Sequence, residues 1–240
     1  MCQACGCGDS NVVPVALNER ILGANDRAAR HNREHFRDAH VSTINLMGSP
    51  GAGKTAVLEA TARALGRDAR IGVLAGDLAT DNDARRIRAA GLVAESITTG
   101  TACHLDAEMV HKGLHRLSAW RTFNFLFIEN VGNLVCPAVY DLGQDVNVVA
   151  LSVTEGEDKP LKYPTMFQKA DLVLLTKIDL LPMLPEIRIA AIRDNLSIVM
   201  PVPRMIPVSA RTGEGIEQWV QWLSALRMPR ASAPIVVGAL

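Results

Sequence analysis

Eight consecutive residues, Gly48-Ser49-Pro50-Gly51-Ala52-Gly53-Lys54-Thr55, constrain this chain more than any other stretch. They complete the phosphate-loop pattern of a first Gly, a second Gly five residues on, and then Lys and Thr. Glycines let successive backbone N–H groups curl round a phosphate, and the helix that follows aims its positive end at the same charge. Val41 to Met47 reads as a strand and Lys54 to Leu65 as a helix, the context such a loop requires. A functionless glycine-rich turn has no need of the full pattern between strand and helix. Lys54 is predicted to reach the β/γ-phosphates, and the Thr55 hydroxyl to bind Mg²⁺.

The 240 residues suffice for one α/β domain with an appendage. Twenty-five basic residues balance 25 acidic ones, so no surface for nucleic acid or another polyanion is indicated. A composition 48% hydrophobic but only 4% aromatic suits a core of Val, Ile, Leu and Ala. No apolar run approaches the ~20 residues of a membrane span. The first residues lack the charged start and apolar core of a secretory signal, so a cytoplasmic location is expected. There, a thiol is more often a metal ligand or redox centre than half of a disulfide.

Three of the five cysteines, Cys2, Cys5 and Cys7, form a C-x-x-C-x-C cluster with Gly6 and Gly8 between and beside them. With the α-amine as a nitrogen donor, they offer a set suited to tetrahedral Zn²⁺ or planar Ni²⁺. A redox dithiol and a plain oxidation-prone terminus are the alternatives. Leu17 to His40 reads as a polar helix, with His31, His35 and His40 on a solvated face. The expected divisions are 1–40 for cysteine tail and helix, 41–228 for the nucleotide domain, and 229–240 for a C-terminal tail.

Apolar strands without strict alternation, separated by helical stretches, argue for burial on both faces and a doubly wound, mostly parallel sheet. Expected strands are 42–47, 70–76, 123–129, 146–153, 170–176 and 206–209, with 96–99 a weaker pattern. Phe125-Leu126-Phe127-Ile128-Glu129 ends in a carboxylate with Gly132 three residues on. Such a site suits an acid holding Mg²⁺ through water and a backbone N–H sensing the γ-phosphate. Asp77, after the second strand, can bind Mg²⁺ through water or orient the attacking water, whereas Asp81 and Asp83 have a simpler reading as helix-capping and first-turn acids. Thr176-Lys177-Ile178-Asp179 resembles the N-K-x-D guanine motif, with Thr a shorter substitute for the amide. Asp179 can accept hydrogen bonds from guanine N1–H and the exocyclic amine, while Lys177 lays its stem along the base. Ser209-Ala210-Arg211 resembles the loop that completes a base pocket.

The cysteine tail, the phosphate loop, G-D-x-x-T-x-x-D-A-x-R, T-G-x-x-C-H-L-D, E-N-V-G-N-L-V-C-P, T-E-G-x-D-K-P-L-K-Y-P and T-K-I-D together resemble the HypB family, GTPases of nickel–iron hydrogenase maturation. The resemblance spans nearly the whole chain. It implies GTP hydrolysis with Mg²⁺, a nucleotide-linked homodimer, partnership with a HypA-type metallochaperone, and delivery of nickel to the hydrogenase large-subunit precursor. It also implies a second metal site, for Ni²⁺ or Zn²⁺, at Cys103, His104 and Cys136. Singly, either cysteine reads as a small core residue; the pair with an adjacent His reads as a metal site. Cys103 is expected at a helix start, which favours its thiolate. His104, Glu108, His111 and His115 are expected on one face of that helix, solvated yet placed to add ligands beside Cys103. Other classes open to the sequence are a nickel-insertion GTPase for another metalloenzyme, a small-molecule kinase and a non-catalytic metal store.

Overall fold

A computed structural model describes residues 15–66 and 69–226. Cys2, Cys5, Cys7 and the 229–240 tail lie outside them.

The chain alternates helix and strand: α1 (Val15–Asp38), β1 (Ser42–Gly48), α2 (Lys54–Leu65), β2 (Ile71–Asp77), α3 (Asn82–Ala89), β3 (Val93–Thr98) and α4 (Ala107–Arg116) come first. There follow β4 (Phe125–Glu129), β5 (Val146–Ser152), the short helices α5 (Lys159–Lys162) and α6 (Pro164–Gln168), β6 (Leu172–Thr176), α7 (Ile189–Val199), β7 (Met205–Pro207) and α8 (Ile216–Ala225). All seven strands pair in parallel, in the order β3-β2-β4-β1-β5-β6-β7. The expected doubly wound sheet is therefore wholly parallel. The pattern at 96–99 marks a real strand that begins at Val93, and the last strand lies at Met205–Pro207 rather than 206–209.

Both faces are covered, which explains why strand sequences run apolar without alternation. Phe125 and Phe127 point to a core shared with Val57, Leu58 and Trp219, while Leu126 and Ile128 point to one shared with Phe36, Leu105 and Leu114. Met47, Val149, Leu151, Phe167 and Ile192 form a third cluster beside β5 and β6. Gly113 lets α4 approach the sheet closely, since a Cβ there would lie 2.7 Å from Ile97. Packing also enlists α1. Phe36 is buried beside Trp120, Asn32 donates to the Ala107 and Leu142 carbonyls, and Arg33 pairs with Asp141 at 2.8 Å. With β1 central, the loops after β1, β2, β4, β5 and β6 open on one edge of the sheet, at the strand carboxyl ends where α/β folds bind ligands.

Candidate functional site

Gly48–Thr55 joins β1 to α2 as the pattern requires, with Gly53 as N-cap at φ 93, a left-handed conformation that favours glycine. The loop is braced on two sides. Glu155 accepts from the Ser49 hydroxyl and, through its other oxygen, from the Ser152 amide at 2.9 Å. Gly132 packs on Pro50 so closely that a Cβ would lie 2.8 Å from the Pro50 nitrogen. Lys54 is buried and donates to the Gly48 and Ser49 carbonyls, each at 3.3 Å. Burial lowers its pKa, against the pull of Glu129, Asp83 and Glu155.

Thr55 Oγ1 donates to Glu129 Oε1 at 2.7 Å and lies 3.1 Å from Asp83 Oδ1. Glu129 is 2% exposed, and its Oε2 is buried with no hydrogen-bond partner among the described residues. Burial pushes its pKa up to about 7, with Lys54 and the Thr55 bond opposing. A hydroxyl, an orphaned carboxylate oxygen and a second carboxylate form the hard oxygen set that fits Mg²⁺. Asp83 reads more simply as a first-turn acid than as a site residue, because such acids are common at helix starts; here it turns its carboxylate to Thr55. Asp77 lines the same cleft, about 430 Å³ in volume. Its carboxylate accepts from the Ala79 and Thr80 amides and the Thr80 hydroxyl. Partial burial pushes its pKa up, but these bonds outweigh that and lower it.

At the other side of the loop, Thr176 Oγ1 donates to the Ala52 carbonyl at 2.6 Å, tying the end of β6 to the phosphate loop. Lys177 holds a left-handed backbone at φ 59, rare for a side-chain-bearing residue and typical of strained functional turns. Its Cε lies 3.9 Å from where a Gly53 Cβ would stand. Asp179 accepts from the Ser209 hydroxyl at 2.7 Å and sits 3.5 Å from Arg211, contacts that lower its pKa, the Ser209 bond first. Ser209 also accepts from the Thr212 amide, and Ala210 follows it in the turn.

Cys103, His104 and Cys136 converge, with candidate ligand atoms all within 4.8 Å of one another. The two sulfurs are 3.1 Å apart and Cys103 Sγ is 3.9 Å from His104 Nδ1. His104 stacks on Tyr140 at 3.9 Å, and burial lowers its pKa. One expectation fails. Cys103 is not at a helix start, because Asp106 caps α4 and the cysteine lies in the turn before it. Burial, with the neighbouring Cys103, pushes the Cys136 thiol up to about 11. His111 and His115 are not beside Cys103 either; His111 packs against His31 and His35 of α1, with His115 beside it, while His31 and His40 are exposed as expected and His35 is half-buried.

Asn133 is a residue that sequence reasoning passed over. Its amide N–H donates to the Gly48 carbonyl at 3.1 Å, and its side-chain amide donates to the Cys103 carbonyl at 3.3 Å. One residue thus touches the phosphate loop and the thiol cluster. Its only signal was its position directly after Gly132.

Fold and site define a nucleotide-binding protein of the phosphate-loop α/β class. The profile of the family described as "CobW/HypB/UreG, nucleotide-binding domain" matches residues 42–198. The hydrogenase maturation factor HypB of Azotobacter vinelandii is 50% identical over 221 residues, covering 92% of this chain and 72% of that protein. The hydrogenase/urease maturation factor HypB of Helicobacter pylori is 40% identical over 212 residues, covering 87% and 86%. The crystal structure of HypB from Helicobacter pylori in complex with nickel has a TM-score of 0.80 at 37% identity, covering 88% of this chain and 100% of that one. The chain belongs to the CobW/HypB/UreG family and, within it, to the HypB hydrogenase maturation factors.

Proposed function

We propose that this chain is a GTP-hydrolysing nickel metallochaperone that supplies nickel during maturation of a nickel–iron hydrogenase, with nucleotide state linked to metal binding. The observation that carries this reading is the join between the two sites. Asn133 bonds both the phosphate loop and the Cys103 backbone, and Cys136 lies just beyond on the same segment.

The backbone of Gly48–Gly53 cradles the phosphates, and Lys54 neutralises charge on the β/γ oxygens. Thr55 and Glu129, joined by Asp83, would hold Mg²⁺, which would supply positive charge to offset that developing on the transferred group. Asp77 would orient water at the cleft or meet the ion through water. The Gly132 N–H reads the γ-phosphate. Thr176, Lys177, Asp179, Ser209 and Ala210 form the guanine side, with the Thr176 hydroxyl bracing the phosphate loop. Cys103, His104 and Cys136 take Ni²⁺ or Zn²⁺, and so do Cys2, Cys5 and Cys7 in the tail. The partners in this reading are a second copy of the chain, a HypA-type metallochaperone and the hydrogenase large-subunit precursor. The Helicobacter pylori relative, named for urease as well as hydrogenase, favours a second reading in which another nickel enzyme is served.

The test is nickel and zinc titration of a Cys2/Cys5/Cys7→Ala variant with GDP and with a non-hydrolysable GTP analogue. Metal affinity should differ about tenfold between the two, a typical coupling of about 1.4 kcal/mol. Equal affinities would leave a metal site and a GTPase that merely share a chain.

A further inference from the structure

We infer that His31, His35, His111 and His115 form a thiol-free site for a divalent transition-metal ion, built where α1 packs against α4. It shares no residue with either proposed cysteine site and does not rest on the metallochaperone reading. Each helix contributes two histidines four residues apart, a spacing that stacks side chains on one face. Within α1, His35 Nε2 lies 3.0 Å from His31 Nε2; within α4, His115 Nε2 lies 3.1 Å from His111 Nε2. Across the helices, candidate ligand nitrogens of His31, His35 and His111 all fall within 4.8 Å of one another. A tetrahedral ion with metal–nitrogen bonds near ~2.05 Å spaces its ligands about 3.3 Å apart. Both within-helix separations are close to that value, and the nitrogens of His31, His35 and His111 across the helices lie within 4.8 Å of one another.

The tautomer of His111 is fixed by a group outside the cluster. Asn32 is fully buried, and its Nδ2 donates to the Ala107 and Leu142 carbonyls at 2.8 and 3.1 Å. Its Oδ1 must therefore accept, and the atom it faces is His111 Nδ1 at 3.2 Å. The proton sits on Nδ1, which leaves the Nε2 lone pair aimed at the other rings. A carbonyl-type oxygen on the far nitrogen is the usual outer support of a metal-bound imidazole. Burial lowers the pKa of both His35 and His111, and the crowding of the four rings lowers it further, so both rings tend to the neutral form a metal requires. Arg121 adds to this at His35 and opposes a cation, but its guanidinium lies over the Trp120 ring at 4.7 Å. Asp38 and Glu108 act in the opposite sense, on His35 and His111 respectively.

His31 and His115 are exposed, so an ion can enter from solvent and leave again. All-imidazole donors suit Ni²⁺, Zn²⁺, Cu²⁺ and Co²⁺ and reject Mg²⁺ and Ca²⁺. An ion held there would pin α1 to α4, and α1 is the element that follows the cysteine tail.

The experiment uses the untagged full-length chain with Cys2, Cys5, Cys7, Cys103 and Cys136 all changed to Ser, titrated with Zn²⁺ and with Ni²⁺. One ion per chain should bind, and Co²⁺ loaded in its place should show ligand-field bands without sulfur-to-metal charge transfer. His31→Gln and His35→Gln, on the outer helix, should each weaken binding tenfold or more without changing GTP hydrolysis. Should the thiol-free chain not fold, the native chain serves: the imidazole Hε1 resonances of all four rings should shift on Zn²⁺ addition, and His31→Gln/His35→Gln should lower total bound metal by one ion. Zn²⁺ that leaves those four resonances unmoved, a foldable thiol-free chain that binds no ion, or undiminished binding in the double His variant would overturn the site.

Discussion

Glu129 carries two opposed demands on one side chain. It must be buried to stand beside Thr55, and burial pushes its pKa to about 7 from 4.5. Because that value lies above the unfolded one, the folded chain binds the extra proton, and stability contributed by this residue is lost as pH rises from about 4.5 to about 7. Glu129→Gln should therefore stabilise the nucleotide-free protein at pH 8 by up to about 3 kcal/mol, with little effect at pH 4. Thermal unfolding at the two pH values checks this; a variant no more stable than the parent at pH 8 would contradict it. The same substitution should remove Mg²⁺-dependent GTP hydrolysis, since it deletes the charge that the ion needs. Lys54→Ala should cut turnover by about 10²–10³-fold, the usual cost of a lost charge-stabilising donor; parent rates in that variant would exclude the loop as the active site. Asp179→Asn should weaken GTP binding by about 10- to 100-fold, as a hydrogen bond to a charged group is worth about 1.5–3 kcal/mol. It should also shift preference toward xanthosine triphosphate, whose 2-oxo group needs a donor. An unchanged GTP-to-XTP affinity ratio would mean that Asp179 does not face the base.

At the level of elements, the segment from Glu129 to Cys136 links the chemistry. It leaves β4, packs Gly132 on Pro50, bonds the phosphate loop through Asn133 and then delivers Cys136 to Cys103. Asn133→Ala should leave GTP turnover little changed while shrinking the difference in nickel affinity between nucleotide states; a full difference in that variant would move the linkage elsewhere. This bridge was not legible in the sequence, because an Asn after a Gly is as well explained by a turn, and nothing in one chain pairs residue 133 with residues 48 and 103. Local patterns were legible where chemistry and spacing coincide. The phosphate loop and the carboxylate at the end of β4 needed only neighbours along the chain, and α2 lies at the expected Lys54–Leu65. The start of α4 was misread for a physical reason: Asp106 caps it, its side chain accepting from the Met109 amide at 2.7 Å, so the residues before it, Cys103 among them, stay non-helical. His111 and His115 were wrongly expected beside Cys103 because helical spacing gives a face but not what packs against it.

For the molecule as a whole, the proposed function assigns two thiol sites and one nucleotide site to a single chain. Changing Cys2, Cys5 and Cys7 to Ala should remove one ion per chain and leave GTP hydrolysis nearly intact, since the described residues that line the cleft all lie between Pro50 and Gly132. Metal content by mass spectrometry decides, with undiminished nickel excluding the tail site. Under the proposed function the inner site should behave differently, because a displacement of one to two ångströms in the Gly132–Cys136 segment would alter how Cys136 faces Cys103 and His104. Metal–sulfur contacts near ~2.3 Å tolerate little of that. Linkage then runs both ways. If GTP changes metal affinity by a given factor, metal must change the affinity for the GTP analogue by the same factor. Measured on the tail variant with and without saturating Ni²⁺, the shift in the analogue's Kd divided by the shift in the GDP Kd should equal the ratio found in the metal titrations, about tenfold for a coupling of about 1.4 kcal/mol. The GDP affinity provides the matching control, since the two nucleotides together close a thermodynamic cycle. A shift in metal affinity with no matching shift in nucleotide affinity would break that cycle and show that the two measurements report different species, such as monomer and dimer, rather than one coupled site.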